Sequence, residues 1–335
     1  MHKGLFVAIL LGAIAVLALG STFFYRKSRE TQAADLTVVT SFYPMYIAAE
    51  NVTEGRTGLR LESLSEPQTG CLHDYQLTPE DMELLATADV FVVNGGGIEE
   101  FLTDIAAQYP ELIIVDASEG LELEEDNGHV WMSVPLHRQQ VQNIAEGLAA
   151  ADPGYRELYE ENAAAYDEKL ALLQQEQEEL APALSGKPVV LFHEAYEYVA
   201  HDYGMQVVYV MDLDEERQVS AGEVAEMLTA VRDGQVTAVL AEELYGSEMG
   251  AVVEQETDAG VYYLDTLVRG DYDSDSYLER MEQNIAIMRE IASGESGGEL
   301  MTKPSGGNCR RTADGRTGER SMDRKIRKPC RVSLY

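Results

Sequence analysis

The sequence is poor in cysteine. Its 335 residues hold three, Cys71, Cys309 and Cys330, too few and too scattered for a disulfide-built scaffold. A Cys309–Cys330 bridge would staple only the tail. No cysteine follows the small-residue stretch Ala18-Leu19-Gly20; Ser21 stands there and cannot carry a thioether-linked lipid. Basic side chains are scarce as well. Residues 31–300 carry 11 Lys+Arg against 55 Asp+Glu, a net of −44. Such a field repels phosphates and excludes nucleic acid as a partner, while it raises the local concentration of cations. No two histidines stand at the H-x-x-x-H spacing of a metal site built on one helix.

What is present begins with an apolar run of 21 residues, Leu5 to Tyr25, flanked by Lys3 and by Arg26, Lys27 and Arg29. Residues 1–32 read as a secretory signal or an uncleaved membrane anchor. Either would place the acidic body outside the cytoplasmic membrane, attached to it or secreted; the basic residues after the run weaken that orientation. From residue 294 to 335 the composition turns to Gly, Ser and basic residues, and residues 301–335 carry ten basic against three acidic. This tail is expected to be disordered.

The body between them suits two lobes. Residues 33–154 alternate β-branched runs with helical segments: LTVVTS (36–41), LRLESL (59–64), DVFVVN (89–94) and LIIVD (112–116). Residues 155–184 predict one long linking helix, free of glycine throughout and of proline until position 182. Residues 185–293 repeat the first pattern with PVVLF, QVVYV, VTAVLA and VYYL. Strands alternating with helices imply parallel β-α-β units, so the fold class is α/β, with two parallel sheets flanked by helices. Thr78, followed by Pro79 and acidic residues, predicts a capped helix start.

Six histidines are placed by this outline. His2 lies in the leader. His137 starts a helix and reads as a surface residue; His201 suits a helix C-terminus, where a positive group meets the dipole. The other three share a setting: His73 follows LRLESL, His129 lies in the loop beyond LIIVD, and His193 follows PVVLF directly. Asp265 follows VYYL, and Glu242 and Glu243 follow VTAVLA. Parallel sheets collect ligands outside the carboxyl ends of their strands. Three imidazoles and at least one carboxylate therefore converge on a cleft and suit a tetrahedral divalent ion. His129 could instead pack on Trp131. Glu242 or Glu243 could orient an imidazole. A hydrolytic zinc site would need a base; Glu194 is the neighbouring candidate, and it points away if position 193 continues the strand.

Taken as a set and in order, TVVTSFYPMYIAAENV, GCLHDYQLTPEDMELLATADVFVVNGGGIEEFL, HVWMS, VLFHEAYEYVAHDYGM and YYLDTL resemble the zinc- and manganese-binding receptors of bacterial metal ABC importers, over roughly residues 36–292. The resemblance implies a metal held between two α/β lobes joined by a backbone helix, with delivery to an ABC permease and no enzymatic activity. It places the metal ligands on His73, His129, His193 and Asp265. Manganese members tend to have a carboxylate where His193 stands, so three nitrogens and one carboxylate favour Zn2+ over Mn2+. The chain departs from the family in lacking the lipid-bearing cysteine and the His-rich acidic loop of some zinc members. EGLELEEDNG (119–128) is acidic but adds no histidine, and Cys71 could add a thiolate. Contact with the membrane surface would then run through the N-terminal segment.

Overall fold

Two short runs of β-branched residues become the hearts of two sheets. LTVVT forms β1 (Leu36–Thr40), buried at all five positions, and PVVL forms β5 (Pro188–Leu191). The computed structural model describes residues 34–69, 72, 75–124, 127–213 and 218–294. The apolar leader, Cys71, His73 and the basic tail lie outside them. Among the described residues no helix is long and apolar enough to cross a membrane.

In the first lobe β1 is followed by α1 (Tyr43–Thr53), β2 (Leu59–Ser63), α2 (Pro79–Leu85), β3 (Val90–Val93), α3 (Leu102–Gln108) and β4 (Ile113–Asp116). The strands are parallel in the order β2-β1-β3-β4. After α4 (Val134–Ala151) and α5 (Arg156–Leu184), the second lobe repeats the plan. It comprises β5, α6 (Tyr196–Asp202), β6 (Gln206–Val210), α7 (Ala221–Asp233), β7 (Ala238–Ala241), α8 (Glu243–Glu256), β8 (Gly260–Tyr263) and α9 (Ser276–Ser293). Its strands are parallel in the order β6-β5-β7-β8. The central strands β1, β3 and β7 are buried throughout, as parallel sheets covered on both faces require. Each sheet has a topological switch point, between β1 and β3 and between β5 and β7, where ligands gather.

The linking helix α5 is 29 residues long and continues through Pro182 to Leu184. A proline there forfeits one backbone bond in the last turn, a small cost beside that of a mid-helix break. Its buried residues, Tyr159, Ala163, Tyr166, Leu170 and Leu173, recur every three or four positions. That stripe packs on α1, α4 and α9, so the helix is clamped along its length and belongs to both lobes. At α2 the Thr78 hydroxyl accepts from the Asp81 N–H at 3.2 Å and the Asp81 carboxylate accepts from the Thr78 N–H at 2.7 Å. This reciprocal cap is reinforced by the Tyr75 hydroxyl donating to Asp81 at 2.9 Å. It secures the chain where it leaves the loop after β2.

His137 is not a surface residue. It is fully buried on α4, stacked at 4.1 Å on Tyr277 of α9, with Nδ1 3.1 Å from Gln140 Oε1. The helix turns it inward because it lies three residues after Val134 and four before Val141, on the buried stripe. Burial pushes its pKa down to about 4. His201 does occupy the last turn of its helix, exposed and 3.4 Å from Glu124.

Glu99 is another buried titratable group. It accepts the Asn94 N–H at 2.8 Å and the Gly95 N–H at 3.0 Å, closing the loop after β3. Gly95 is obligatory there: its φ is +77°, and a Cβ would run into the Asp116 carboxylate. Burial pushes the Glu99 carboxyl up to about 7. Between the ordinary carboxylate range and pH 7 the folded chain therefore holds a proton that the unfolded chain has lost. The stability this contributes is full at low pH and disappears as the pH rises through 7. His137 acts in the opposite sense, its contribution being lost as the pH falls toward 4. Glu99→Gln is expected to remove the first dependence alone. Relative to the parent, its unfolding free energy in urea should gain ground from pH 5 to pH 7, by at most about 1.4 kcal/mol per pH unit. Parallel pH profiles for the two proteins would refute this.

Candidate metal centre

His129 and His193 come from different lobes and meet. His129 caps a 3-10 turn, Val130–Met132, ahead of α4. His193 stands two residues past β5, at the switch point of the second sheet. Their ring centroids are 5.1 Å apart and nearly perpendicular, and both rings are buried, with His129 at 0% and His193 at 5% exposure. Neighbouring carboxylates lie at ion-pair distance. Glu194 Oε1 is 3.5 Å from His129 Nδ1, and Asp212, just beyond β6, is 3.6 Å from His193 Nδ1.

The condition under which Glu194 would point away is not met. β5 ends at Leu191, so position 193 has left the strand and side-chain alternation no longer applies. The bend that follows turns the Glu194 carboxylate back toward His129. Its backbone is secured from both sides: the Glu194 N–H faces Asp212 at 3.4 Å and its carbonyl accepts from Asn127 Nδ2 at 2.9 Å.

Asp265 lies where expected, just past β8, but its carboxylate is occupied. Arg280 of α9 donates Nε to Oδ2 at 2.7 Å and Nη2 to Oδ1 at 2.6 Å. The Leu267 N–H adds a bond to Oδ1 at 2.7 Å. Asn284 brackets the backbone, accepting from the Asp265 N–H and donating to its carbonyl, both at 2.8 Å. Leu267 itself sits at φ +62°, a region costly for a non-glycine residue and tolerated only where surroundings enforce it. The loop is therefore rigid. A carboxylate offers about four lone-pair positions; three donors leave one.

The two lobes are tied at this level. Trp131 Nε1 donates to the Thr266 carbonyl at 2.9 Å, one residue from Asp265. The Tyr277 hydroxyl donates to the Trp131 carbonyl at 2.8 Å, and within the second lobe the Tyr196 hydroxyl donates to the Leu264 carbonyl at 2.7 Å. Trp131 also lies 5.1 Å from the His129 ring, so the packing contact expected for that histidine exists alongside its exposure to His193.

Of the residues expected at the site, the structure brings His129 and His193 together and engages Asp265 with Arg280. His73 and Cys71 lie outside the described residues. Among the described residues no group of three or more His, Cys, Asp or Glu side chains converges as a cage. Glu242 does not orient an imidazole; it accepts from Arg269 at 2.6 Å, and Glu243 is exposed. The residues in contact with the candidate ligands that were not foreseen are Asn127, Asp212 and Arg280. Asn127, two residues before a candidate ligand, could have been flagged by that spacing. Arg280 is one of few cations in an acidic body, a signal that was available; Asp212 carries none.

A scan of family models matches residues 38–291 to "ZnuA: Zinc-uptake complex component A periplasmic". The high-affinity zinc uptake system protein ZnuA of Bacillus subtilis is 28% identical over 292 residues, covering 79% of this chain and 90% of that one. The manganese-binding lipoprotein MntA of Halalkalibacterium halodurans is 27% identical over 263 residues, covering 75% and 86%. Among solved structures, the SBP FpvC of Pseudomonas aeruginosa in complex with Mn2+ superposes with a TM-score of 0.70 at 23% identity, covering 77% of this chain and 99% of that one. A likeness at that identity speaks for the fold.

Proposed function

Since the chain belongs to the family of periplasmic zinc-uptake complex component A, we propose that it captures Zn2+ between its lobes through His73, His129, His193 and Asp265. It is a metal-binding receptor of an ABC importer, extracytoplasmic and not an enzyme. The ion is its cargo, passed on to the permease. Attachment to the membrane surface would be the task of the apolar N-terminal segment.

One observation carries the ligand reading: two buried imidazoles from different lobes, 5.1 Å apart, with carboxylates beside each. Neutral imidazole nitrogens suit zinc. His193 Nδ1 accepts the Ala195 N–H at 3.2 Å, with Asp212 3.6 Å away; Nε2 would reach the ion once it gives up its proton, as a metal ligand must. Asp265 can offer its remaining lone pair while Arg280 and the Leu267 N–H hold the others, which limits how much negative charge it brings. Nitrogen donors with a partly neutralised carboxylate favour Zn2+ over the harder Mn2+. The manganese reading draws on the oxygens of Glu194 and Asp212 at 3.5 and 3.6 Å from the rings. Relatives of both kinds are about equally similar, so the metal has to be measured.

The test is a competition titration of the metal-stripped protein against a chromophoric chelator. Zn2+ is expected to bind one-to-one and at least about a hundredfold more tightly than Mn2+, in keeping with the order of divalent affinities at nitrogen-rich sites. Equal competition by Mn2+ would replace the zinc reading with the manganese one.

A further inference from the structure

We propose that Asn127 is the positioning residue that selects which nitrogen of His129 faces the metal and ties that ring to the turn carrying His193. The inference rests on the ligand assignment above. Asn127 is buried, with 6% exposure, and its amide makes four contacts. Oδ1 accepts from the His129 backbone N–H at 3.0 Å and from His129 Nδ1–H at 2.8 Å. Nδ2 donates to the Glu194 carbonyl and to the Glu197 carboxylate, both at 2.9 Å.

This pattern admits one orientation of the amide. A flip would set the NH2 group against a backbone N–H and set the amide oxygen against a carbonyl and a carboxylate, turning at least three contacts repulsive. With the oxygen facing Nδ1, that nitrogen keeps the proton and Nε2 keeps its lone pair. The Glu194 carboxylate, 3.5 Å from the same nitrogen, favours the same tautomer. A neutral imidazole with Nδ1 protonated keeps the Nε2 lone pair that a divalent ion takes up, and partners that fix that form are worth about ten- to a hundredfold in metal affinity.

The other half of the amide works across the lobes. Glu194 and Glu197 flank the start of α6, and Tyr198 of the same helix donates its hydroxyl to the Asn127 carbonyl at 2.5 Å. Asn127 is thus stitched to the second lobe by three residues. The next residue is anchored to the first lobe, because Asn94 Nδ2 donates to the Gly128 carbonyl at 2.9 Å and Gln140 holds Asn94 Oδ1 at 2.8 Å. One amide therefore sets the tautomer of one ligand and the placement of the turn bearing another.

The experiment compares the parent, His129→Ala, Asn127→Ala and Asn127→Asp as full-length, metal-free proteins. The readouts are 15N NMR of labelled histidine, with His129 assigned by its absence in His129→Ala, and Zn2+ competition titration. Asp retains an acceptor for His129 Nδ1–H and loses the donor to Glu194 and Glu197, so it separates the two roles. The parent is expected to show a single Nδ1–H tautomer. Asn127→Ala should show mixed tautomers and a ten- to hundredfold loss of Zn2+ affinity. Asn127→Asp should keep the Nδ1–H form. Asn127→Ala with an unchanged tautomer and affinity within twofold, in a protein whose binding His129→Ala weakens about a hundredfold or more, overturns this inference alone. Loss of the Nδ1–H form in Asn127→Asp overturns it as well. Unchanged Zn2+ binding in His129→Ala overturns the ligand assignment and this inference together.

Discussion

His129→Ala is expected to weaken Zn2+ binding by two to three orders of magnitude and to silence the optical signal of binding. Protein zinc sites with four ligands are worth about 10–16 kcal/mol. A quarter of that, at about 1.4 kcal/mol per tenfold, gives the loss. The readout is built into the chain. Trp131 is its single tryptophan, and its ring lies 5.1 Å from that of His129. An ion on His129 must alter the field at the indole, so Zn2+ should change the Trp131 emission with a break at one equivalent. The variant should show no break in that range. If the variant still gives a saturable change at one equivalent with parent-like affinity, His129 is no ligand, and the reading of the cleft fails at its best-defined point.

Trp131→Ala should be the most damaging core substitution near the site, at about 3–5 kcal/mol, the range for removing a large buried aromatic. The indole is fully buried, packs edge-on against Phe42 at 5.0 Å and bonds across the lobes to Thr266 at 2.9 Å. Its loss opens a cavity in the first lobe and leaves the Thr266 carbonyl without that donor. Trp131→Phe keeps most of the apolar surface and forfeits the N–H bond, so it should cost roughly 1–3 kcal/mol. Urea unfolding of the metal-free proteins separates the two. A loss below about 1.5 kcal/mol for the alanine variant would mean that the interlobe contact is peripheral to stability. Both substitutions should also lower Zn2+ affinity, because the same turn carries His129.

The sheets were legible because parallel strands buried on both faces need unbroken β-branched runs. All eight expected strands occur, most of them trimmed by one or two residues at their ends. Thr78 and Pro79 announced α2 for an equally local reason: capping is a matter of a few consecutive residues. The long helix was readable from its lack of glycine, and it runs to Leu184 through Pro182 as expected. His137 was misjudged when taken as a free surface histidine, yet its place on the stripe of α4 was already in the pattern of Val134 and Val141.

The sequence by itself determined two parallel sheets, a helix between them, and histidines and a carboxylate at strand ends, because periodicity, capping and topology act over short stretches of chain. Only the tertiary structure decided which of those groups meet and in what state. It set His129 against His193, engaged Asp265 with Arg280 fifteen residues on, turned Glu194 back from a strand that had already ended, and locked Asn127 between two lobes. Those outcomes depend on hydrogen bonds and packing between residues far apart in sequence, and no local pattern encodes the geometry of an amide with partners on both sides of a cleft.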